Sequence, residues 1–285
     1  MMPNKSHERH LKYRFFRGLK LTIMMIICVV QMFPLYYLFT YSLKSNEEIF
    51  LTNPIGLPTH WIWENYSVAL SNGKVGLYLI NSVIVTGASI LLVLASGVTA
   101  SYALTRLRWR LRTLANNILM LGLTIPVHAS VLPVFLILKN LGILNSHLSL
   151  ILPYVAFNTP MAIMMMSGFM MTIPLEMEES AFIDGYSVWK TFMSIIIPLM
   201  SPGLSTAAIF TFIKVWNELL FAQVFISSNS LKTLPVGLKT LVSDFGTQWG
   251  QVGAGMMVAT LPTMIIYLFL NKKVQESLIA GSVKG

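Results

Sequence analysis

The sequence predicts an all-α integral membrane protein with six transmembrane helices and both termini cytoplasmic. Three observations predict it. Of the 285 residues, 55% are hydrophobic and only 11% are charged, with a mean hydropathy of +0.68, a balance foreign to ordinary soluble domains. Six apolar stretches, near 19–42, 77–103, 113–138, 147–170, 203–226 and 253–271, match the roughly 20 helical residues that a ~30 Å hydrocarbon core requires. Lys and Arg gather on alternate connections, which sets an orientation. The spans are helical because lipid offers no partner for an open strand edge.

Residues 1–18 form a basic cytoplasmic segment, and RHLKYRFFRGLK interleaves cations with aromatic rings, as suits a helix lying on an anionic inner surface. The apolar stretch that follows is too long for a signal peptide and has no small-residue cleavage site after it, so it reads as a retained anchor. It carries Cys28, the single cysteine, which leaves no intrachain disulfide and no thiolate metal cluster to build. The next connection, around 43–76, is rich in Trp, Asn, Gly and Pro, as is the one around 227–252. Both are outer loops and candidates for docking an external partner.

Between the second and third spans, TRLRWRLR places Arg106, Arg108, Arg110 and Arg112 at alternate positions and reads as a stop-transfer anchor. With Lys190, Lys272, Lys273, Lys284 and the N-terminal cations they make the inside far richer in positive charge than the outside, where Lys44, Lys74, Lys139, Lys232 and Lys239 lie. The net charge of +9 is thereby a topology signal, not a nucleic-acid surface. The domains are therefore the N-terminal segment, 1–18, and a transmembrane domain over 19–285.

Within the spans, polar residues are few. His128 stands between Pro126 and Pro133 and is a candidate cavity lining at a broken helix, with a packed histidine as the competing reading. Met164–Met166 read as compliant packing. Lys214 and Glu218 are an i,i+4 pair in the fifth span, which serves either as a structural ion pair or as a cavity lining; Trp216 and Asn217 beside them are further candidates for that lining.

The inner loop 173–202 differs in kind. Pro174 suits a first helical turn, Glu176, Glu178 and Glu179 suit its positive end, and Gly185 supplies a left-handed residue to end the helix. A second short helix starts after a Ser187 cap and runs to Ile197, where Pro198 and Pro202 interrupt it. The first helix is expected to expose its carboxylates, with Tyr186 flanking the turn, while Trp189, Phe192 and Ile195–Ile197 rest on the bundle.

Glu179, Ser180 and Ala181, then Gly185 after three residues, then Ile195 after nine more and Ile197-Pro198, resemble the EAA signature of binding-protein-dependent ABC importer permeases. Ser replaces the second-position Ala, and Ile replaces Leu before the Pro. Ile183-Asp184-Gly185, Trp216-Asn217-Glu218, Leu234-Pro235-Val236-Gly237-Leu238 and the terminal Ala280–Gly285 are similar to the carbohydrate-uptake branch, the maltose-type second permease.

The resemblance implies a type I ABC importer permease fold and a coupling loop comprising Glu178, Glu179, Ser180, Ala181, Asp184, Gly185, Tyr186 and Pro198. It implies a heterodimer with a second permease subunit, two ATPase subunits and an extracytoplasmic solute-binding protein, in the cytoplasmic membrane of a bacterium or archaeon. The cargo it implies is a sugar or oligosaccharide, with a non-sugar such as glycerol 3-phosphate as the alternative. ATP and Mg would be used by the ATPase, and this chain would bind no cofactor or metal. Indeed no phosphate-cradling Gly-rich loop, nucleophile-base pair or metal-ligand spacing is present in the sequence. An ion-gradient carrier would call for two repeated halves and more acids within the spans, and a membrane enzyme for clustered polar residues at one depth.

Overall fold

The computed structural model describes residues 5–242 and 246–282, with side chains at 13, 16–242 and 246–269. Val283-Lys284-Gly285 and the side chains of Lys272 and Lys273, counted above with the inner cations, lie outside the described residues, as do the N-terminal side chains up to residue 12 and at 14 and 15. The described residues are helical with no strand. They are α1 (Lys5–Tyr41), α2 (Glu64–Leu70), α3 (Val75–Thr105), α4 (Arg112–Leu121), α5 (Val131–Asn140), α6 (Leu148–Met170), α7 (Glu176–Ile183), α8 (Val188–Thr191), α9 (Ile197–Leu199), α10 (Ser201–Trp216), α11 (Leu220–Phe225), α12 (Leu234–Lys239) and α13 (Trp249–Ser282).

Among the described residues four helices are long and apolar enough to cross a membrane: Phe16–Tyr41, Val75–Thr105, Leu148–Met170 and Trp249–Phe269. Two further pairs reach that length only if each bent pair is one span. Arg112–Thr124 and Val127–Asn140 meet at 92°, and Val188–Leu199 and Ser201–Trp216 at 71°. The stretch expected as the third span is therefore broken, in line with the broken-helix reading of His128. Ile125 precedes Pro126 and is extended (ψ 120°), as the steric demand of the following proline ring requires. The fifth stretch is also divided: α10 ends at Trp216 and α11 begins at Leu220.

Two compact units divide the chain. In the first, residues up to Ala69 with Val242–Met257, the C-terminal end of α1 is anchored by buried polar groups. Lys44 is 1% exposed, and its Nζ donates to the carbonyls of Asn53 (2.6 Å), Gly56 (2.7 Å) and Pro54 (3.4 Å). Burial pushes its ammonium below the usual lysine value, against the opposing pull of Glu48. Glu48 accepts from Asn53 Nδ2 and the Thr59 N–H, so the loop folds around one buried cation and one buried anion. Asn46 spans to the other segment, donating to the Thr247 carbonyl and accepting from the Trp249 N–H. Trp61 and Trp63 stack at 6.2 Å on the exposed side.

In the second unit, Leu70–Leu241 and Val258 onward, α3 packs along α6 and α10 lies across both. Small residues let the backbones approach: a Cβ on Gly97 would lie 3.1 Å from Met166 Sδ, and Ser101 Oγ donates to the Ile163 carbonyl (3.1 Å). One apolar cluster joins Val85, Leu150, Tyr154, Phe221 and Phe225; a second joins Val98, Tyr102, Met166, Met170, Phe192 and Ile196. The second cluster supports the loop 173–202.

Candidate functional site

The loop 173–202 is a pair of helices with a defined turn. At the end of α7 the Tyr186 N–H donates to the Ala181 carbonyl (2.9 Å) and the Gly185 N–H to the Phe182 carbonyl (3.0 Å), while Gly185 takes φ +79°. These paired bonds are those of a Schellman termination, which needs a left-handed residue at this position. Ser187, with ψ 160°, then caps α8 by accepting from the Lys190 N–H (3.3 Å). Lys190 Nζ sits 3.8 Å from the Tyr186 ring centroid, which fixes the ring against the turn. Beyond α8 a π-helical turn, Phe192–Ile196, leads into α9, and Pro198 stands in its first turn.

Glu179, Ser180, Asp184 and Gly185 are exposed, with Ile183 at the tip 87% exposed. Ala181 is buried against the bundle. The expectation that Trp189 rests on the bundle is corrected: it is 62% exposed, and Phe192 and Ile196, at 3% and 0%, carry the buried side.

Glu178 requires a larger correction. It does not share the exposed face with Glu179 but turns inward, where Arg106 Nε lies 3.0 Å from its Oε1 and the Tyr102 hydroxyl donates to its Oε2 at 3.0 Å. Arg106 also donates through Nη2 to the carbonyls of Met170 (2.7 Å) and Ile173. Consecutive helical residues point about 100° apart, so adjacent glutamates necessarily face different surroundings. Sequence reading placed Arg106 with the stop-transfer arginines; its position one turn beyond Tyr102, at the end of a span and beside an acid-rich loop, is the signal that was available.

The second constellation lies between α6, α10, α11 and the turn before α5. A cavity of about 260 Å³ is lined by His128, Tyr154, Phe157, Asn158, Lys214, Glu218 and Phe221 among others. Three of the expected pathway residues, His128, Lys214 and Glu218, therefore come together. Trp216 does not: it is 5% exposed, donates through Nε1 to the Ala259 carbonyl (3.3 Å) and stacks on Phe212 at 5.3 Å. Asn217 is exposed, donates to the Ile213 carbonyl (2.8 Å) and caps the end of α10.

Nor do Lys214 and Glu218 pair. Glu218 Oε1 accepts from the Phe221 N–H (2.8 Å), and Oε2 from the Ala222 N–H (3.2 Å) and the Tyr154 hydroxyl. The helix break after Trp216 carries the carboxylate to the N-terminus of α11, where unpaired N–H groups favour an anion. Among the described residues no carboxylate lies within 4.0 Å of Lys214, which reaches the cavity as a free cation. Tyr154 and Asn158, one turn apart on α6, escaped sequence reading although two polar side chains at i,i+4 in an apolar span mark a face turned from lipid.

A sequence model described as the binding-protein-dependent transport system inner membrane component matches residues 92–276. The chain is 30% identical over 273 residues to a diacetylchitobiose uptake system permease protein of Streptomyces coelicolor, covering 95% of this chain and 90% of the relative. It is 33% identical to a sulfoquinovosyl glycerol transport system permease protein of Agrobacterium fabrum (95% and 96% covered) and 31% identical to a trehalose transport system permease protein of Mycobacterium tuberculosis (88% and 92% covered). Among solved structures, a chain of a bacterial ABC transporter involved in import of the acidic polysaccharide alginate superposes with a TM-score of 0.79 at 23% identity, covering 91% of this chain and 96% of that one. The fold is shared with that chain.

Proposed function

The chain belongs to the binding-protein-dependent transport system inner membrane components, and we propose that it is the permease subunit of an ATP-driven importer of a sugar or oligosaccharide delivered by an extracytoplasmic binding protein. The observation that carries the reading is the loop 173–202, whose exposed Glu179, Asp184 and Gly185 sit on a capped, rigid turn. The relatives' cargoes, diacetylchitobiose and trehalose, support a saccharide.

In this reading the chain sits in a bacterial or archaeal cytoplasmic membrane with both termini inside. It pairs with a second permease subunit, and two ATPase subunits bind beneath. The turn at Asp184 and Gly185 seats in a groove of an ATPase, with Glu179 facing a basic residue there, Ser180, Ala181 and Tyr186 holding the turn's shape and Pro198 marking the far end of the loop. Closure of the ATPases around ATP and Mg then moves the loop as a rigid body. The chain is a mechanical component and supplies no catalytic group.

The test is cargo-stimulated ATPase activity of the reconstituted complex, with pull-down of the ATPase, for wild type, Glu179→Ala and Gly185→Asp. Loss of stimulation or of ATPase association in a folded permease is the expected result; unchanged values in both variants sink the assignment. A second reading, an anionic cargo such as a phosphate ester or an acidic sugar, is favoured by the unpaired Lys214 in the cavity. Lys214→Met distinguishes the two, since it weakens the response to an anionic cargo and leaves that to a neutral one.

A further inference from the structure

We propose that Arg106 and Glu178, with Tyr102, form the positioning link that carries displacement of the coupling-loop helix α7 into the spans α3 and α6. The proposal rests on the importer reading above. The cluster joins three elements at one buried point. Glu178 comes from α7, Tyr102 from the end of α3, and Arg106 is the residue that closes α3. The Arg106 guanidinium adds bonds to the carbonyls of Met170, at the end of α6, and Ile173. The side chains of Arg106 and Glu178 are only 8% and 6% exposed.

The geometry suits transmission. α7 has eight residues and ends in the hydrogen-bonded turn at Gly185, so helix and turn move as one piece and the inward contacts of α7 are what pass that movement on. A planar guanidinium fixes an orientation as well as a distance. Tyr102 also lies against Phe192 (ring centroids 4.9 Å apart) beyond α8, so both loop helices are referenced to one side chain of α3. The neighbouring carboxylates then divide the work: Glu179 faces outward to the partner and Glu178 inward to the spans. A buried ion pair is a poor device for stability alone, because an apolar pair of similar volume serves as well or better. The directional bonds around this pair, from the Tyr102 hydroxyl to Glu178 Oε2 and from Arg106 Nη2 to the Met170 and Ile173 carbonyls, are what an apolar pair lacks.

That contrast supplies the test. A single substitution strands a buried charge, so loss of folding in it decides nothing; the decisive protein is Arg106→Met with Glu178→Leu, which removes both charges at similar volume. It is reconstituted with the second permease subunit, ATPases and binding protein, and compared with wild type for thermal stability, ATPase recruitment, basal ATP hydrolysis and cargo moved per ATP. We expect assembly and basal hydrolysis to be retained while cargo moved per ATP falls about tenfold. Arg106→Lys, which keeps the charge but not the planar fork, should fall between. Wild-type transport per ATP in the double variant overturns the proposal, and so does loss of ATPase recruitment, because the pair would then shape the docking face. A wild-type complex without any cargo-stimulated hydrolysis points instead to failure of the importer reading.

Discussion

The Tyr154 hydroxyl on α6 donates to the Glu218 carboxylate at the break between α10 and α11. A half-buried carboxylate at a helix break must find donors, and here they come from backbone and phenol in place of the lysine one turn earlier. The carboxylate thus stabilises a helix interruption that lipid could not hydrate.

Glu218→Ala is expected to lower stability by about 1–2 kcal/mol through loss of the cap and to leave Tyr154 without its acceptor. Tyr154→Phe should cost about 1 kcal/mol, and the two together less than their sum, because both break the same contact. Thermal unfolding of the purified variants checks this; additive losses would show that the two groups act separately.

The helices were largely legible because lipid imposes length and apolarity on each span, so α3 and α6 stand out from composition alone. The turn was legible too, since Gly185 and Ser187 are residue types with a local conformational reason to be there. What the sequence hid is direction. Glu178 and Glu179 are the same residue type in adjacent positions, and only the approach of Arg106 from 72 positions away in the chain decides which one is buried. Trp216 misled for a similar reason: an aromatic beside Asn217 fits a sugar platform or a core, and packing on Phe212 settled it.

Gly185 and Gly237 should fail differently on substitution. A Cβ at Gly185 meets nothing within 4 Å but the residue holds φ +79°, so Gly185→Ala should cost about 1–2 kcal/mol of backbone strain in the turn. Gly185→Asn, which tolerates the left-handed region, should recover most of it. At Gly237 a Cβ would collide with the Tyr78 ring, so Gly237→Ala should cost about 1–3 kcal/mol by overpacking and Asn should be worse than Ala. The opposite order of Ala and Asn at the two sites, read from thermal unfolding, is the check.

Lys44 gives a pH dependence with a definite sign. Its folded value lies below the ordinary 10.5 because of burial, so between the two values the unfolded chain binds more protons and stability rises as pH climbs. Below the folded value the contribution is constant. Lys44→Met removes this dependence and leaves the carbonyls of Asn53 and Gly56 without their donor. Wild type should therefore gain stability relative to the variant as pH approaches 10.5, and proteolysis within residues 53–57 should be faster in the variant. A difference that does not vary with pH would place the lysine's titration elsewhere.

Trp216 and Lys214, two positions apart on α10, should separate stability from cargo response. Trp216 is enclosed and bonded to the Ala259 carbonyl, so Trp216→Ala should cost about 3–5 kcal/mol by opening a cavity, whereas Trp216→Phe keeps most of the apolar contact and loses one hydrogen bond, about 1 kcal/mol. Lys214 lines the cavity without a carboxylate partner among the described residues, so Lys214→Met should leave the melting temperature unchanged or raise it by relieving an uncompensated intramembrane charge. If Trp216→Ala instead leaves stability intact and weakens cargo-stimulated ATP hydrolysis, the ring faces the pathway in the assembled complex and the packing argument is wrong. If Lys214→Met unfolds the chain, the ammonium has a structural partner, and the case for an anionic cargo loses its only support.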